Sequence, residues 1–200
     1  MSDDKQKIKE LEKEIEHLKS IAFKDELTQV LNRRGINDIF DEFFNEAKFL
    51  QENPEAKRNI RIEDFSVIFF DADNFKSIND TYGHDIGDKV LVSVAEIMSE
   101  NVRGIDIVGR LGGEEFIVGL LGADEKEAFK KAEELRALIS EIRFEENPDI
   151  KITTSVGVSS LRESKASSLT DLIGCADRAM YEAKNNRGKN NVVKCSELIE

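Results

Sequence analysis

Hydrophobic positions fall into two rhythms along the chain. Near the start, Ile8, Leu11, Ile15, Leu18 and Ala22 recur at alternating three- and four-residue steps, with Lys and Glu filling most positions between them. This is a heptad seam about two repeats long. Two heptads are marginal alone, so a short two-stranded coil here needs support from the following domain or from sequence upstream. Further on, Asp25 can cap a turn before Leu27, and Ile36, Phe40, Phe43, Phe44 and Ala47 supply the apolar face of a helix. The polar, interrupted stretch from Asn53-Pro54 to Asp64 reads as a loop.

From residue 66 onward the rhythm alternates. Ser66 to Asp71 (SVIFFD) is an apolar run of buried-strand type, and Gly87 to Val102 has helical spacing through Val90, Leu91, Val94, Ile97 and Met98. Two strands, Ile105 to Leu111 and Glu115 to Leu121, flank a pair of glycines. A helix over 124–142, a strand from Lys151 to Leu161, a helix from Ser168 to Asn186 and a short strand from Asn191 to Lys194 complete the chain. The order β-α-β-β-α-β predicts an α/β (α+β) fold, a ferredoxin-like unit with additions preceded by a coiled-coil helix over residues 1–22, with the main domain over 23–200.

Composition narrows the functions open to such a fold. The 200 residues are 40% hydrophobic, enough for one core of ordinary size, and the net charge of −12 argues against a nucleic-acid backbone or an anionic membrane surface as partner. An anionic substrate would need metal ions or a local cationic cluster. Neither a signal-peptide core nor a membrane-length apolar window is visible, so the cytoplasm is expected. The two cysteines, Cys175 and Cys195, lack zinc-ligand spacing and are expected to be buried, reduced thiols. The charged N-terminus suits a chain that follows another, sensory domain.

The candidate chemistry lies around RLGGEEF, residues 110–116. Gly112 and Gly113 permit a tight hairpin turn and a close approach of ligand to backbone. Asp71 ends the first strand, and in a β-α-β-β arrangement that strand neighbours the hairpin, so Asp71 can meet Glu114 or Glu115. Carboxylates gathered from separate strands repel one another unless protons or cations lie between them, and oxygen ligands suit Mg²⁺ or Mn²⁺. Taken alone, the glycine pair is a turn. Lone His84 in TYGHD reads as a packed loop residue and Phe116 as core.

RLGGEEF resembles the GGDEF/GGEEF signature of diguanylate cyclases. It is accompanied by DELTQVLNRRG, FDADNFKSINDTYGHDIGDKVL and AMYEAKNNRGKN, each similar to a motif of that family and in the same order, over residues 23–195. The resemblance implies a palm like that of nucleotidyl cyclases. It also implies condensation of two GTP into cyclic di-GMP with release of two pyrophosphates, by a homodimer holding one GTP per domain. Carried over by position, Asp71, the Ala72 carbonyl, Glu114 and Glu115 would hold two divalent ions per GTP, with one glutamate helping to deprotonate the 3′-hydroxyl. Lys76 and the amides of Asn74 and Phe75 would receive the β- and γ-phosphates, joined by Lys184 and Lys189. AKNNRGKN has one residue more than the family's AKxxG[RK]N, which leaves Arg187 and Lys189 as alternatives for the second cation. Asn79 and Asp88 stand at the base-reading positions, where a carboxylate accepts the paired donors of guanine.

Arg103-Gly104-Ile105-Asp106 precedes the signature by the spacing of the family's inhibitory RxxD site, which implies feedback by cyclic di-GMP at Arg103 and Asp106. DELTQVLNRRG implies a structural turn in which Asp25, Asn32 and Arg34 fix how the coil meets the domain. Two other readings remain: a degenerate receptor that binds cyclic di-GMP without making it, and a dimerisation module that relays a signal along the coil.

Overall fold

A computed structural model describes residues 6–8, 10, 11, 13, 14, 21–53, 55 and 64–198. The N-terminal residues it describes up to Phe23 are helical, and Ile8 and Leu11 of the heptad seam are exposed on the single chain. Ile15 and Leu18 lie outside the described residues. Helix α1 (Arg33–Glu52) is followed by strand β1 (Phe65–Ala72), helices α2 (Phe75–Tyr82) and α3 (His84–Glu100), and the hairpin β2 (Ile107–Gly112) and β3 (Glu115–Leu121). Helix α4 (Glu125–Ser140), strand β4 (Thr154–Ser160), the single turn α5 (Leu161–Ser164), helix α6 (Leu169–Asn185) and strand β5 (Val192–Lys194) complete the order.

The sheet runs β2-β3-β1-β4-β5, with β1 antiparallel to both β3 and β4, and β5 parallel to β4. Its first four strands have the ferredoxin-like order, as the alternation of the sequence predicts. Every residue of β1 is buried, because helices cover both faces of the sheet. Ile68, Phe70 and Ala72 point to the face covered by α2, α3 and α4. Phe65, Val67 and Phe69 point the other way, among Ile36 and Phe40 of α1 and Leu172, Ala176 and Met180 of α6. Burial on both sides explains why SVIFFD is a continuous apolar run.

Helix ends follow their caps. Asn32 accepts from the Gly35 amide at the start of α1, while Asp124 with Glu127 and Ser168 with Asp171 form capping boxes at α4 and α6. Two departures from the sequence reading have clear causes. The helix expected from Gly87 begins at His84 and is preceded by a separate helix, α2, because Gly83 at φ 87° and ψ 161° interrupts the chain between them. Two turns with only Phe75 and Ile78 buried carry too few apolar positions to show a period. His84, expected to pack in a loop, is exposed in the first turn of α3.

The cysteines depart as well. Cys175 of α6 and Cys195, just after β5, are expected as reduced thiols but are joined as a disulfide, with their Cα atoms 5.6 Å apart. Packing of α6 beside β5 brings together residues separated by 20 positions, a pairing without a sequence motif.

Helix α6 lies hard against the sheet at Gly157. A Cβ there would stand 1.9 Å from the Ala176 carbonyl oxygen and 2.3 Å from the Met180 nitrogen, both backbone atoms that cannot rotate away. Gly157→Ala is therefore expected to destabilise the domain by about 3 kcal/mol through overpacking. Urea denaturation checks this, and a loss below about 0.5 kcal/mol would show that α6 has room to move.

Candidate active site

The β1–β3 register sets Asp71 directly opposite Glu115, on the sheet face that α1 and α6 cover. Opposed residues of an antiparallel pair are near neighbours, and like charges there are destabilising. Glu114 sits in the turn just before β3, where its carbonyl accepts the Ala72 amide at 3.1 Å. Gly112 and Gly113 make that turn with φ of 146° and 52°, conformations that favour glycine. Asp71 and Glu115 are thus register partners, and Glu114 precedes them in the turn.

A cation already lies among them. Lys184, near the end of α6, donates to Asp71 Oδ1 at 2.6 Å, and its Nζ is 3.8 Å from Glu114 Oε1. Burial pushes the Asp71 carboxyl above its ordinary pKa against the pull of Lys184. Burial also raises Glu114 and Glu115, each helped by the charge of Asp71, and for Glu115 Asp177 adds to the effect. For Lys184 burial acts to lower the pKa, but the hydrogen bond and charge of Asp71, with Glu114 and Asp73, carry it above the usual ammonium value. Among the described residues no three His, Cys, Asp or Glu side chains converge tightly enough to ligate one ion as they stand. The ammonium occupies the space between Asp71 and Glu114.

Next to this cluster the chain turns through Asn74, the left-handed N-cap of α2 at φ 57°, which gives the helix no side-chain cap. Such an end presents amides and a positive dipole to an anion. Lys189 donates to Asn74 Oδ1 at 2.6 Å. Arg187, the alternative cation, faces Glu197 at 3.3 Å and Glu182 at 3.8 Å instead. Lys76 is exposed on the first turn of α2, whereas the Phe75 side chain is in the core, leaving its amide as the group that could serve a ligand.

At the α2–α3 junction, Asn79 Oδ1 is buried without a hydrogen-bond partner. It fits against Gly87, where a Cβ would lie 1.8 Å from that oxygen, and Asp88 beside it is exposed. An orphaned buried acceptor is costly unless a ligand's donor completes it.

Arg103 and Asp106 face each other before β2. The Asp106 carboxylate accepts the Arg103 Nε and Nη2 groups at 2.9 and 2.8 Å and the Arg103 and Leu121 amides at 3.0 and 3.3 Å. Asp106 is buried, while the Arg103 side chain is 58% exposed beside a surface cavity of about 510 Å³ that Lys24 and Gln29 also line.

The DELT turn forms as expected around Asp25, whose Oδ1 accepts the Thr28 amide and hydroxyl, and Asn32 donates to the carbonyls of Ala22 and Lys24. Arg34 instead lies over the Phe23 ring, 5.4 Å from its centroid. Two residues that sequence reasoning passed over complete the link. Arg110 donates to the Gly113 carbonyl from Nε and Nη2 at 3.0 and 2.7 Å and to Asp25 Oδ1 at 3.0 Å, so one guanidinium ties the N-terminal turn to the glycine turn. Arg33 donates to the Leu111 carbonyl at 3.1 Å. Arg110 opens RLGGEEF, but no spacing rule joins it to an acid 85 positions away.

The crowding has a consequence for stability. A carboxyl whose folded pKa lies above its unfolded value favours the fold only while protonated, so ionisation of Glu114 costs stability as pH rises through its raised pKa. In the absence of divalent ions, Glu114→Gln should melt above the wild type at about pH 8. The gap should close as the pH falls below the ordinary glutamate value of 4.5. Circular dichroism melts across pH check this, and a variant that melts lower at high pH contradicts it.

Comparison with known proteins agrees with the geometry. Residues 22–191 match the family model "Diguanylate cyclase, GGDEF domain". The chain is 35% identical over 179 residues to the probable diguanylate cyclase DgcT of Escherichia coli K12, covering 88% of this chain and 36% of that protein. It is 36% identical over 170 residues to the diguanylate cyclase DosC of the same strain, covering 84% and 34%. The chain thus spans about a third of the length of these relatives. The coiled coil and GGDEF domain of DgcB from Caulobacter crescentus, solved in complex with c-di-GMP, superimposes with a TM-score of 0.80 at 25% identity, covering 96% of each chain. The active GGEEF domain of a diguanylate cyclase from Vibrio cholerae gives 0.71 at 36% identity, covering 82% of this chain and 96% of that one. A family model that covers most of the chain, joined by relatives and structures of the same topology, shows that the chain belongs to the GGDEF-domain family of diguanylate cyclases.

Proposed function

We propose that this chain condenses two GTP into cyclic di-GMP, as a homodimer in the cytoplasm with one GTP per domain and the coil of residues 1–22 holding the two domains of residues 23–200 together. The observation that carries the proposal is Asp71 set opposite Glu115 in the sheet, with the Lys184 ammonium 2.6 Å from Asp71 and 3.8 Å from Glu114. Facing carboxylates in oxygen-rich surroundings fit Mg²⁺ or Mn²⁺, and an ion taking the place of the ammonium would be held by Asp71, the Ala72 carbonyl, Glu114 and Glu115. Bound there, two divalent ions would offset the triphosphate charge and favour the 3′-alkoxide.

The chain's own groups do the rest. Lys184, freed from Asp71, moves to the triphosphate with Lys189, Lys76 and the amides of Asn74 and Phe75. Gly112 and Gly113 let the nucleotide approach the backbone. Asn79, whose buried oxygen lacks a partner, accepts from guanine together with Asp88. With the domains facing each other, the 3′-oxygen of one GTP forms a bond to the α-phosphorus of the other. The α–β phosphoanhydride breaks, pyrophosphate leaves, and the hydroxyl proton passes to Glu114 or Glu115. Repetition by the second hydroxyl closes the ring. Product returning to Arg103 and Asp106 inhibits, with the neighbouring cavity of about 510 Å³ supplying room for a base.

Incubation with GTP and Mg²⁺, read by mass spectrometry for cyclic di-GMP, tests this. Wild type should form the product, and Asp71→Asn and Glu115→Gln should each lower the rate by about a thousandfold. Near-normal rates in either variant refute the metal assignment. A dimeric wild type that binds cyclic di-GMP without making it establishes the receptor reading instead.

A further inference from the structure

Asp73 has a role separate from those of Asp71 and the signature glutamates. It is 2% exposed, and both of its oxygens are engaged. Oδ1 accepts the Ser155 hydroxyl at 2.7 Å, while Oδ2 accepts the Thr153 hydroxyl at 2.7 Å and the Asn190 amide at 3.0 Å. Its own amide donates to the Thr153 carbonyl at 2.8 Å. The carboxylate thus accepts three protein donors, the hydroxyls of Thr153 just before β4 and of Ser155 within it and one amide from the loop after α6.

That loop is unusual. Gly188, Lys189 and Asn190 all have positive φ, at 83°, 65° and 45°, so two non-glycine residues in succession adopt a conformation that costs about 1 kcal/mol or more each unless their surroundings impose it. The loop also contains the residue by which AKNNRGKN exceeds the usual length. On one side the Lys189 amide reaches back to the Ala183 carbonyl at 3.1 Å, and on the other the Asn190 side chain accepts from Arg136 at 2.8 Å. Between these anchors the Asn190 amide is fixed to Asp73, and the Lys189 ammonium meets Asn74, the residue next to Asp73 in the chain.

Taking the GTP reading as its basis, we propose that Asp73 is a positioning residue. By binding the Asn190 amide it sets the left-handed loop so that the Lys189 ammonium stands over the Asn74–Lys76 turn, where the terminal phosphates would lie. The Thr153 and Ser155 hydroxyls hold the carboxylate itself in place for that bond.

The test is binding of a non-hydrolysable GTP analogue by calorimetry, which needs no turnover. Asp73→Ala should weaken binding about tenfold, as expected when a charge-assisted hydrogen bond that places a cation is lost. Asp73→Asn should recover most of that affinity, because its amide oxygen can still accept from Asn190 while its NH₂ group donates to a hydroxyl. In a Lys189→Ala background, Asp73→Ala should cause little further loss, since the effect passes through Lys189. Full additivity of the two changes overturns the proposal, as does an Asn variant no better than Ala, which would assign the effect to charge. If Asp73→Ala does not fold, hydrogen exchange on the wild type decides: a protected Asn190 amide is expected, and free exchange overturns the proposal. A wild type that binds no GTP analogue removes the GTP reading first, and the role of Asp73 with it.

Discussion

Everything at the functional end of this domain depends on one pairing, the antiparallel register that sets Asp71 opposite Glu115. A shift of one residue would send Asp71 to the apolar face beneath α3 and α4, and Phe70 to the cleft. The alternating burial of β1 forbids that shift, because Phe65, Val67 and Phe69 fill one core while Ile68 and Phe70 fill the other. The hydrophobic pattern therefore sets carboxyl groups side by side at a partly buried strand end, where burial first and neighbouring carboxylates second make them hold their protons more tightly. Lys184 partly relieves that repulsion, and its position follows from the close seating of α6 on Gly157.

A second set of contacts joins the cleft to the N-terminal turn. Asn32 holds the carbonyls of Ala22 and Lys24, Asp25 closes the DELT turn, and Arg110 spans from Asp25 to the Gly113 carbonyl. The charge pair between Arg110 and Asp25 is largely shielded, so it is less subject to screening than a surface bridge. Arg110 thereby links the DELT turn to the same hairpin that carries Glu115.

How much of this was legible beforehand follows from the range of the interactions. The strand β1, the hairpin around Gly112 and Gly113, and the amphipathic helices α1, α4 and α6 announce themselves through local period, and the approach of Asp71 to the hairpin follows from topology alone. Asp25 is readable as a turn residue because its bonds to Thr28 are local. Helix α2 was hidden, since two turns with two buried residues show no period. The bonds of Arg110 to Asp25, Asp73 to Asn190, and Cys175 to Cys195 join segments far apart in the chain, and no local pattern encodes them. That Lys189 meets Asn74 while Arg187 faces Glu197 depends on a loop of left-handed residues whose path only the packed structure fixes.

The central claim is that facing carboxylates at this register make a divalent-ion site in which Lys184 stands until the ion arrives. Titration of Mn²⁺ into the protein with a non-hydrolysable GTP analogue, reading free ion by electron paramagnetic resonance, addresses it directly. Wild type should retain Mn²⁺, and Asp71→Asn should bind it at least about tenfold more weakly. Equal retention of Mn²⁺ by the two proteins would contradict the claim.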